Sequence, residues 1–111
     1  MLIANQVADE LYEILIPLVD KVGERDSDLA KRIMKTKRSI LENTGEGGGR
    51  FNQDRAYFFK VAYGSGEELV RQLRMAELEN YLTTEELARP RALLHRQKGL
   101  LWGLIHGKKR R

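Results

Sequence analysis

Apolar side chains recur every three or four residues in four separate segments of the chain, which is the period of an α-helix with one buried face. In the first segment, residues 3–22, the apolar stripe consists of Ile3, Val7, Leu11, Ile14, Leu18 and Val22. Pro17 lies inside this segment, and because the stripe keeps its phase on both sides of the proline, we predict a kinked but continuous helix. Gly23 is expected to end it.

The second segment begins at Asp26 or Ser27, since either side chain can cap a helix N-terminus. Its stripe consists of Leu29, Ile33, Thr36, Ile40, Asn43 and Gly47. A buried amide without a partner costs about 1–3 kcal/mol, so Asn43 is expected to bond to a neighbouring helix or subunit. The glycines at 47–49 are expected to end the helix and let the chain reverse into the third segment.

The third segment is expected to begin after Phe51, with Asn52 as the N-cap and Phe51 packed on the first turn as a hydrophobic staple. Its stripe consists of Phe58, Ala62, Ser65, Leu69, Leu73, Ala76 and Asn80. Gly64 and Gly66 each cost a helix about 1 kcal/mol relative to alanine. Because the stripe passes through them unbroken, we interpret them as a close crossing with a neighbouring helix rather than as a break.

The fourth segment opens with a capping box, Thr83 followed three residues later by Glu86, and Gly107 is expected to end it. Pro90 either bends this helix or marks its true start. The wide apolar face consists of Leu87, Leu93, Leu94, Leu100, Leu101, Leu104 and Ile105. Trp102 lies beside that face, which is wider than one internal contact requires, so we expect a second packing surface and an oligomer.

Four amphipathic helices with short connections predict an all-α, up-down-up-down four-helix bundle over residues 1–107, followed by a basic tail at 108–111. A chain of 111 residues has the size of a single domain. The absence of cysteine excludes disulfides and thiolate metal sites. No apolar run approaches the roughly 20 residues of a membrane span, and residues 1–10 do not have the pattern of a signal peptide. We therefore expect a cytoplasmic protein with no membrane partner.

The charges are segregated along the chain although the formal net charge is only +4. Residues 1–28 hold seven acidic side chains against two basic ones, residues 29–41 hold five basic and no acidic ones, and residues 89–111 hold eight basic and no acidic ones. Such segregation indicates either an acidic ligand or subunits that pair by charge. Aligned cations can follow a phosphate backbone, although an ordinary solvated helix face has the same pattern. The candidate nucleic-acid-binding residues are Lys31, Arg32, Lys35, Arg38, Lys108, Lys109, Arg110 and Arg111.

Other classes of site lack the residues that they require. The glycine-rich residues 45–49 match neither phosphate-binding glycine motif, because Arg50 occupies the position of a required glycine and no strand precedes them. His95 and His106 are about 16 Å apart along one helix, too far to share a metal. The polar residues Ser39 and Asn43, which share a face with Glu46, include no activated nucleophile. The sequence therefore predicts a protein without enzymatic activity, metal or cofactor.

Residues 38–82 contain an ordered set of motif residues: Arg38, Ser39, Ile40, Asn43, Glu46, Gly47, Arg50, Ala62, Gly64, Ser65, Glu68 and Leu69. In this stretch the chain resembles the four-helix-bundle family of 23S rRNA intervening-sequence proteins. That resemblance implies a ring-forming bundle, commonly a pentamer, without enzymatic activity. A related branch, the accessory proteins of diversity-generating retroelements, implies basic pentameric barrels that bind nucleic acid and a reverse transcriptase.

The resemblance also gives the polar motif residues a structural role, as a junction between the second and third helices near a subunit contact. The residues of this junction are Ser39, Asn43, Glu46, Arg50, Ser65 and Glu68. Thr44 and Gly45 replace an apolar residue and an alanine of the family pattern, and this change is expected to loosen the end of the second helix.

These observations lead to two hypotheses. The first is a non-enzymatic homo-oligomer, of pentameric type, that binds RNA or DNA through its basic faces and serves as an accessory factor of a reverse transcriptase. The alternative is a protein-interaction scaffold of the rRNA intervening-sequence type, in which the acidic first helix meets the basic last helix of a neighbour and nucleic acid has no role.

Overall fold

The computed structural model describes residues 2–51 and 53–107, which form four helices. Their bounds are α1 Ile3–Gly23, α2 Ser27–Gly48, α3 Gln53–Leu78 and α4 Thr84–His106. Each helix packs on the helices before and after it, and α4 packs back on α1, so the predicted up-down-up-down four-helix bundle is confirmed. None of these described helices is long and apolar enough to cross a membrane.

The helix starts follow the capping residues that the sequence predicted. Asp26 caps α2, where its Oδ1 accepts a hydrogen bond from the Leu29 amide at 2.9 Å. Thr83 caps α4 in a reciprocal capping box: its hydroxyl accepts from the Glu86 amide at 3.1 Å, and the Glu86 carboxylate accepts from the Thr83 amide at 2.8 Å. Pro90 is therefore buried inside α4, and the alternative start at Pro90 is wrong. The predicted N-cap Asn52 lies outside the described residues.

The buried face of α1 is rotated relative to the predicted stripe. Leu15 and Val19 are buried, whereas Ile14 and Leu18 are only partly buried and Ile3 is exposed. Apolar residues occupy adjacent positions in this helix, so periodicity alone did not decide which of them faces the core. Val7, Leu11 and Val22 are buried as predicted, and the helix continues past Pro17 to Gly23.

The α2–α3 contact depends on the absence of a side chain at Gly47. A Cβ placed there would lie 2.6 Å from the ring of Phe59, which is fully buried. Phe59, rather than the predicted Phe58, is therefore the inward aromatic of α3. The predicted staple is wrong, because Phe51 is 97% exposed. Asn80 is also no part of the core: it is exposed and follows α3 with a positive φ of 64°.

Gly64 and Gly66, the two glycines inside α3, differ in how closely a neighbouring helix approaches them. The helix runs through both without a break, as predicted. A Cβ at Gly66 would lie 3.1 Å from Cγ of Lys98, which places this glycine at the crossing with α4. A Cβ at Gly64 would meet no atom within 4 Å, so no packing contact in the described structure explains that glycine.

Three polar residues of α2 are buried, Thr36, Lys37 and Thr44, and the last two bond to other helices. Thr44 is fully buried and accepts a hydrogen bond from Nε2 of Gln97 at 3.2 Å, which joins α2 to α4 across the core. This bond holds Thr44, and the helix continues to Gly48. The expected loosening of the end of α2 stays a prediction. Lys37 is 4% exposed, donates to the carbonyl oxygen of Tyr12 at 3.2 Å and lies over its ring. Burial lowers the pKa of Lys37.

Candidate nucleic-acid interface

The outward face of α2 carries four exposed cations, which we call the α2 patch and define as Lys31, Arg32, Lys35 and Arg38. The buried side of the same helix contains Leu29, Ile33 and Ile40. Residues three, four and seven apart share one helical face, so burial of the apolar stripe directs the patch toward solvent. None of the four cations forms an ion pair with a described residue.

Elsewhere in the described structure, six other cations form ion pairs with carboxylates. Glu77 shows how closely such a pair is held: its carboxylate accepts from Arg91 at 2.8 Å, from Thr84 at 2.9 Å and from Arg74 at 3.0 Å. These hydrogen bonds, with that from Arg91 the strongest influence, lower the pKa of Glu77 to about 2. The remaining pairs are Lys21–Glu86, Arg50–Glu46, Arg50–Asp54, Arg89–Glu10 and Lys98–Glu67. Against this background the α2 patch is a cluster of unneutralised positive charge.

A groove between α2 and α3 extends the α2 patch inward. It has a volume of about 330 Å³ and is lined by Arg32, Lys35, Thr36, Ser39, Ser65, Glu68 and Gln72. A smaller groove of about 170 Å³ shares Arg32, Glu68 and Gln72 with it and adds Arg71 from α3. We call these two adjoining grooves the α2/α3 groove; Arg32 and Lys35 of α2 and Arg71 of α3 line it.

The structure divides the predicted polar junction into three parts. Ser39 and Ser65 join α2 to α3 through a hydrogen bond of 2.7 Å between their hydroxyls. Asn43 donates to the carbonyl oxygen and the hydroxyl of Ser39, at 2.9 and 3.2 Å. Within the described chain Asn43 therefore bonds along its own helix and reaches α3 only through Ser39. The expected bond to a neighbouring helix of the same chain is wrong, and the alternative bond to another subunit stays a prediction.

The other two parts lie apart from the serine pair. Glu46, which is unfavourably placed at the negative end of the α2 dipole, pairs with Arg50 at 2.8 Å. Glu68 lies in the α2/α3 groove and accepts from Nε2 of Gln72 at 3.4 Å. The predicted junction is thus a serine bridge, an exposed ion pair and a groove carboxylate rather than one network.

Two residues of the α2/α3 groove, Gln72 and Arg71, were not predicted from the sequence. A helical period could have found Gln72, because Ser65, Glu68 and Gln72 lie at i, i+3 and i+7 on one face of α3. Arg71 joins the groove from the edge of that face, where the sequence gives no comparable signal. The tail cations Lys108, Lys109, Arg110 and Arg111 lie outside the described residues.

The described residues contain no group of three or more side chains suited to hold a metal ion. His106 stacks on Trp102, with ring centres 3.8 Å apart, and its Nδ1 lies 3.0 Å from the Trp102 carbonyl oxygen. Trp102 is 54% exposed, on the wide face of α4. Nearby, an apolar groove of about 480 Å³ between α1 and α4 is lined by Leu2, Ile3, Ala4, Gly99, Leu100, Gly103 and Leu104.

Comparison with known proteins adds no family to this geometry: no protein-family model matches the chain, and no curated protein matches it significantly. The resemblance of residues 38–82 therefore depends on the motif residues alone.

Proposed function

We propose that this protein is a non-enzymatic four-helix-bundle protein that binds RNA or DNA through the α2 patch. The observation that supports the proposal is that four cations share the outward face of one helix and none is paired with a carboxylate, whereas ion pairs engage cations on the other helices. Fixed cations aligned in this way attract a polyanion and release its counterions.

The spacing of the α2 patch suits a phosphate backbone. Lys31 and Arg38 are seven residues apart, which corresponds to about 10 Å along the helix axis. That length spans roughly three phosphates of one strand at about 3.4 Å per nucleotide. Such contacts read no bases, so binding is non-specific in sequence and weakens steeply with salt.

A pair of charge-reversal variants tests the proposal. Lys31→Glu with Lys35→Glu reverses two patch charges, and Lys60→Glu with Arg96→Glu reverses two exposed charges that stand singly on α3 and α4. Both variants change the net charge by the same amount. In fluorescence anisotropy with a labelled oligonucleotide over a salt series, we expect the patch variant to lose affinity about 100-fold and to flatten the salt dependence.

The control variant is expected to weaken binding only slightly, because its charges lie off the patch. Equal losses in the two variants would show that net charge rather than the α2 patch attracts the ligand. Absence of binding by the unmodified protein at low salt would reject the proposal.

We further propose that the protein acts as a homo-oligomer, a ring of the pentameric type that the resemblance implies, and as an accessory factor of a reverse transcriptase. The exposed Trp102 and the apolar groove between α1 and α4 support assembly, since monomers rarely leave large apolar patches uncovered. Sedimentation equilibrium measures the stoichiometry, and a monomer at all concentrations would contradict the proposed homo-oligomer. Copurification with a reverse transcriptase tests the accessory role.

The second candidate is a protein-interaction scaffold without a role in nucleic-acid binding. Unpaired acids on α1, such as Asp9 and Glu13, favour it because they could meet cations of another subunit. Glu10, however, already pairs with Arg89 of its own α4. If the scaffold alone is correct, the Lys60/Arg96 variant, which reverses an exposed cation of α4, weakens the oligomer, the Lys31/Lys35 variant leaves it assembled, and neither variant nor parent binds oligonucleotides.

A further inference from the structure

The α3 side of the α2/α3 groove carries a buried amide, Gln72, and an exposed carboxylate, Glu68, that both have unused hydrogen-bond acceptor capacity. Nε2 of Gln72 donates to Oε2 of Glu68 over 3.4 Å, a long bond, and this orientation leaves Oε1 of Gln72 facing away from the carboxylate. Oε1 of Gln72 is buried without a partner in the described part of the chain. A carboxylate can accept about four hydrogen bonds, so Glu68 retains acceptor capacity at the groove.

The cations of the groove do not use up this capacity. Arg32 and Arg71 line the groove together with Glu68, yet neither forms an ion pair with it among the described residues. The Glu68 carboxylate therefore lies among cations and can still accept hydrogen bonds from a ligand.

The part of the groove that Ser39 and Ser65 line has a spare hydrogen-bond donor. The Ser39 and Ser65 hydroxyls carry two protons, and the bond between their oxygens uses one of them. Asn43 donates to Ser39 and so supplies a proton of its own. The second hydroxyl proton is available to an acceptor in the groove, beside the cations Arg32 and Lys35.

A ligand for this groove must present an anion to the cations and the spare hydroxyl proton, and a hydrogen-bond donor to Glu68. A DNA backbone presents phosphates but no donor, and its phosphates are repelled by the carboxylate. An RNA backbone places a 2′-hydroxyl, which is a donor, next to each phosphate. We propose that the α2/α3 groove selects RNA over DNA, with Glu68 accepting a ribose 2′-hydroxyl while Arg32 and Lys35 hold the adjacent phosphate.

This inference rests on the proposed function, because it requires that nucleic acid binds at the α2 patch. The expected preference is about tenfold, since a hydrogen bond to a charged group is among the stronger ones in proteins. Affinities are measured by fluorescence anisotropy for three strands of one sequence made of adenine and cytosine only: RNA, DNA and 2′-O-methyl RNA. The methylated strand keeps an RNA-like sugar but lacks the donor.

Two isosteric variants identify the residue responsible. Glu68→Gln removes the carboxylate of the groove, and Glu42→Gln removes an exposed carboxylate on α2, one turn after Arg38 and outside the groove. We expect Glu42→Gln to tighten binding of RNA and DNA equally, because it only removes repulsion. Glu68→Gln is expected to tighten DNA binding more than RNA binding and to bring their ratio close to one.

Three results would overturn the inference while leaving the proposed function intact: equal binding of RNA and DNA by the unmodified protein, binding of 2′-O-methyl RNA as tight as that of RNA, or an unchanged ratio in Glu68→Gln. Absence of binding to every strand would overturn the proposed function and this inference together. Circular dichroism of each variant verifies that the bundle is intact.

Discussion

On the side of α3 that faces α4, carboxylates of α3 hold the cations of the neighbouring helix, whereas on the side that faces α2 the cations are left free. Glu77 binds Arg91 and Glu67 binds Lys98, at 2.8 and 2.9 Å. Toward α2, the contacts are instead a serine bridge and the close approach of Gly47 to Phe59. Helix α3 thus forms ion pairs with α4 and contacts α2 through uncharged groups.

The difference separates charges that stabilise the fold from charges that remain available to a ligand. An arginine held by a carboxylate presents little net charge to a polyanion. Because the α2 patch forms no ion pair in the described structure, its charges can be changed without loss of a salt bridge. Substitutions on each side of α3 therefore test this distinction.

Substitution of Gly47 is expected to have the largest effect on stability. Gly47→Ala would place a Cβ 2.6 Å from the fully buried Phe59 ring, so the ring or the helix must shift. Overpacking of this kind costs about 1–3 kcal/mol, and we expect a net loss of about 2 kcal/mol in the free energy of unfolding. Urea denaturation measures the loss.

Gly45→Ala is the matched control, because its Cβ would meet no atom within 4 Å and alanine favours the helix by about 1 kcal/mol. We expect this variant to be as stable as the parent or more so. If both alanines stabilise the protein, the α2–α3 contact does not depend on the absence of a side chain at residue 47.

The serine bridge is expected to contribute less. Ser39→Ala leaves the Ser65 hydroxyl without its partner and should destabilise the bundle by about 1 kcal/mol. Ser65→Ala should have a similar effect. In the double variant the bond between the two hydroxyls is lost only once, so the combined loss should fall below the sum of the single losses. Additive losses in a double-mutant cycle would show that the two hydroxyls act independently.

The sequence predicted the features of this bundle that depend on local chemistry. Helix number and the starts at Asp26 and Thr83 follow from caps and from a period that each segment carries by itself. The inward faces of α1 and of early α3 were partly wrong, because Ile14 and Leu15, or Phe58 and Phe59, are adjacent and equally apolar. Which of two such neighbours is buried depends on the helix that packs against it.

The candidate site shows the same limit. The spacing of Lys31, Lys35 and Arg38 predicted one shared face, and the structure places all three outward. Lys37, from the same basic run, is buried because Tyr12 on α1 provides a carbonyl and a ring for its ammonium group. Pairs such as Lys21–Glu86 join residues 65 positions apart, so the sequence could not show which cations remain unpaired.

The ion pairs between α3 and α4 are expected to make the stability of the fold depend on pH. The effect should be smaller than those of the glycine and serine substitutions, because these pairs are partly exposed. The pKa of Glu77 is lowered from 4.5 to about 2 in the folded protein. Its contribution to stability is therefore fully present above pH 4.5 and is lost as the pH falls toward 2. Thermal melts over this window should fall more steeply for the parent than for Glu77→Gln. Parallel curves would mean that Glu77 is bound no more tightly in the folded protein than in the unfolded chain.

Neutralisation of the α2 patch is expected to have the smallest effect on stability. Lys31→Gln, Lys35→Gln and Arg38→Gln, combined, remove three exposed cations that have no ion pair in the described structure, so the free energy of unfolding should change by less than about 0.5 kcal/mol. The change should be toward greater stability, because Lys31 and Lys35 are like charges four residues apart and repel by about 0.2–0.5 kcal/mol. Arg91→Gln, which removes a cation held by Glu77, should lower the stability under the same conditions. If the triple variant is the less stable of the two, the patch cations support the fold after all, and the separation between the two sides of α3 fails.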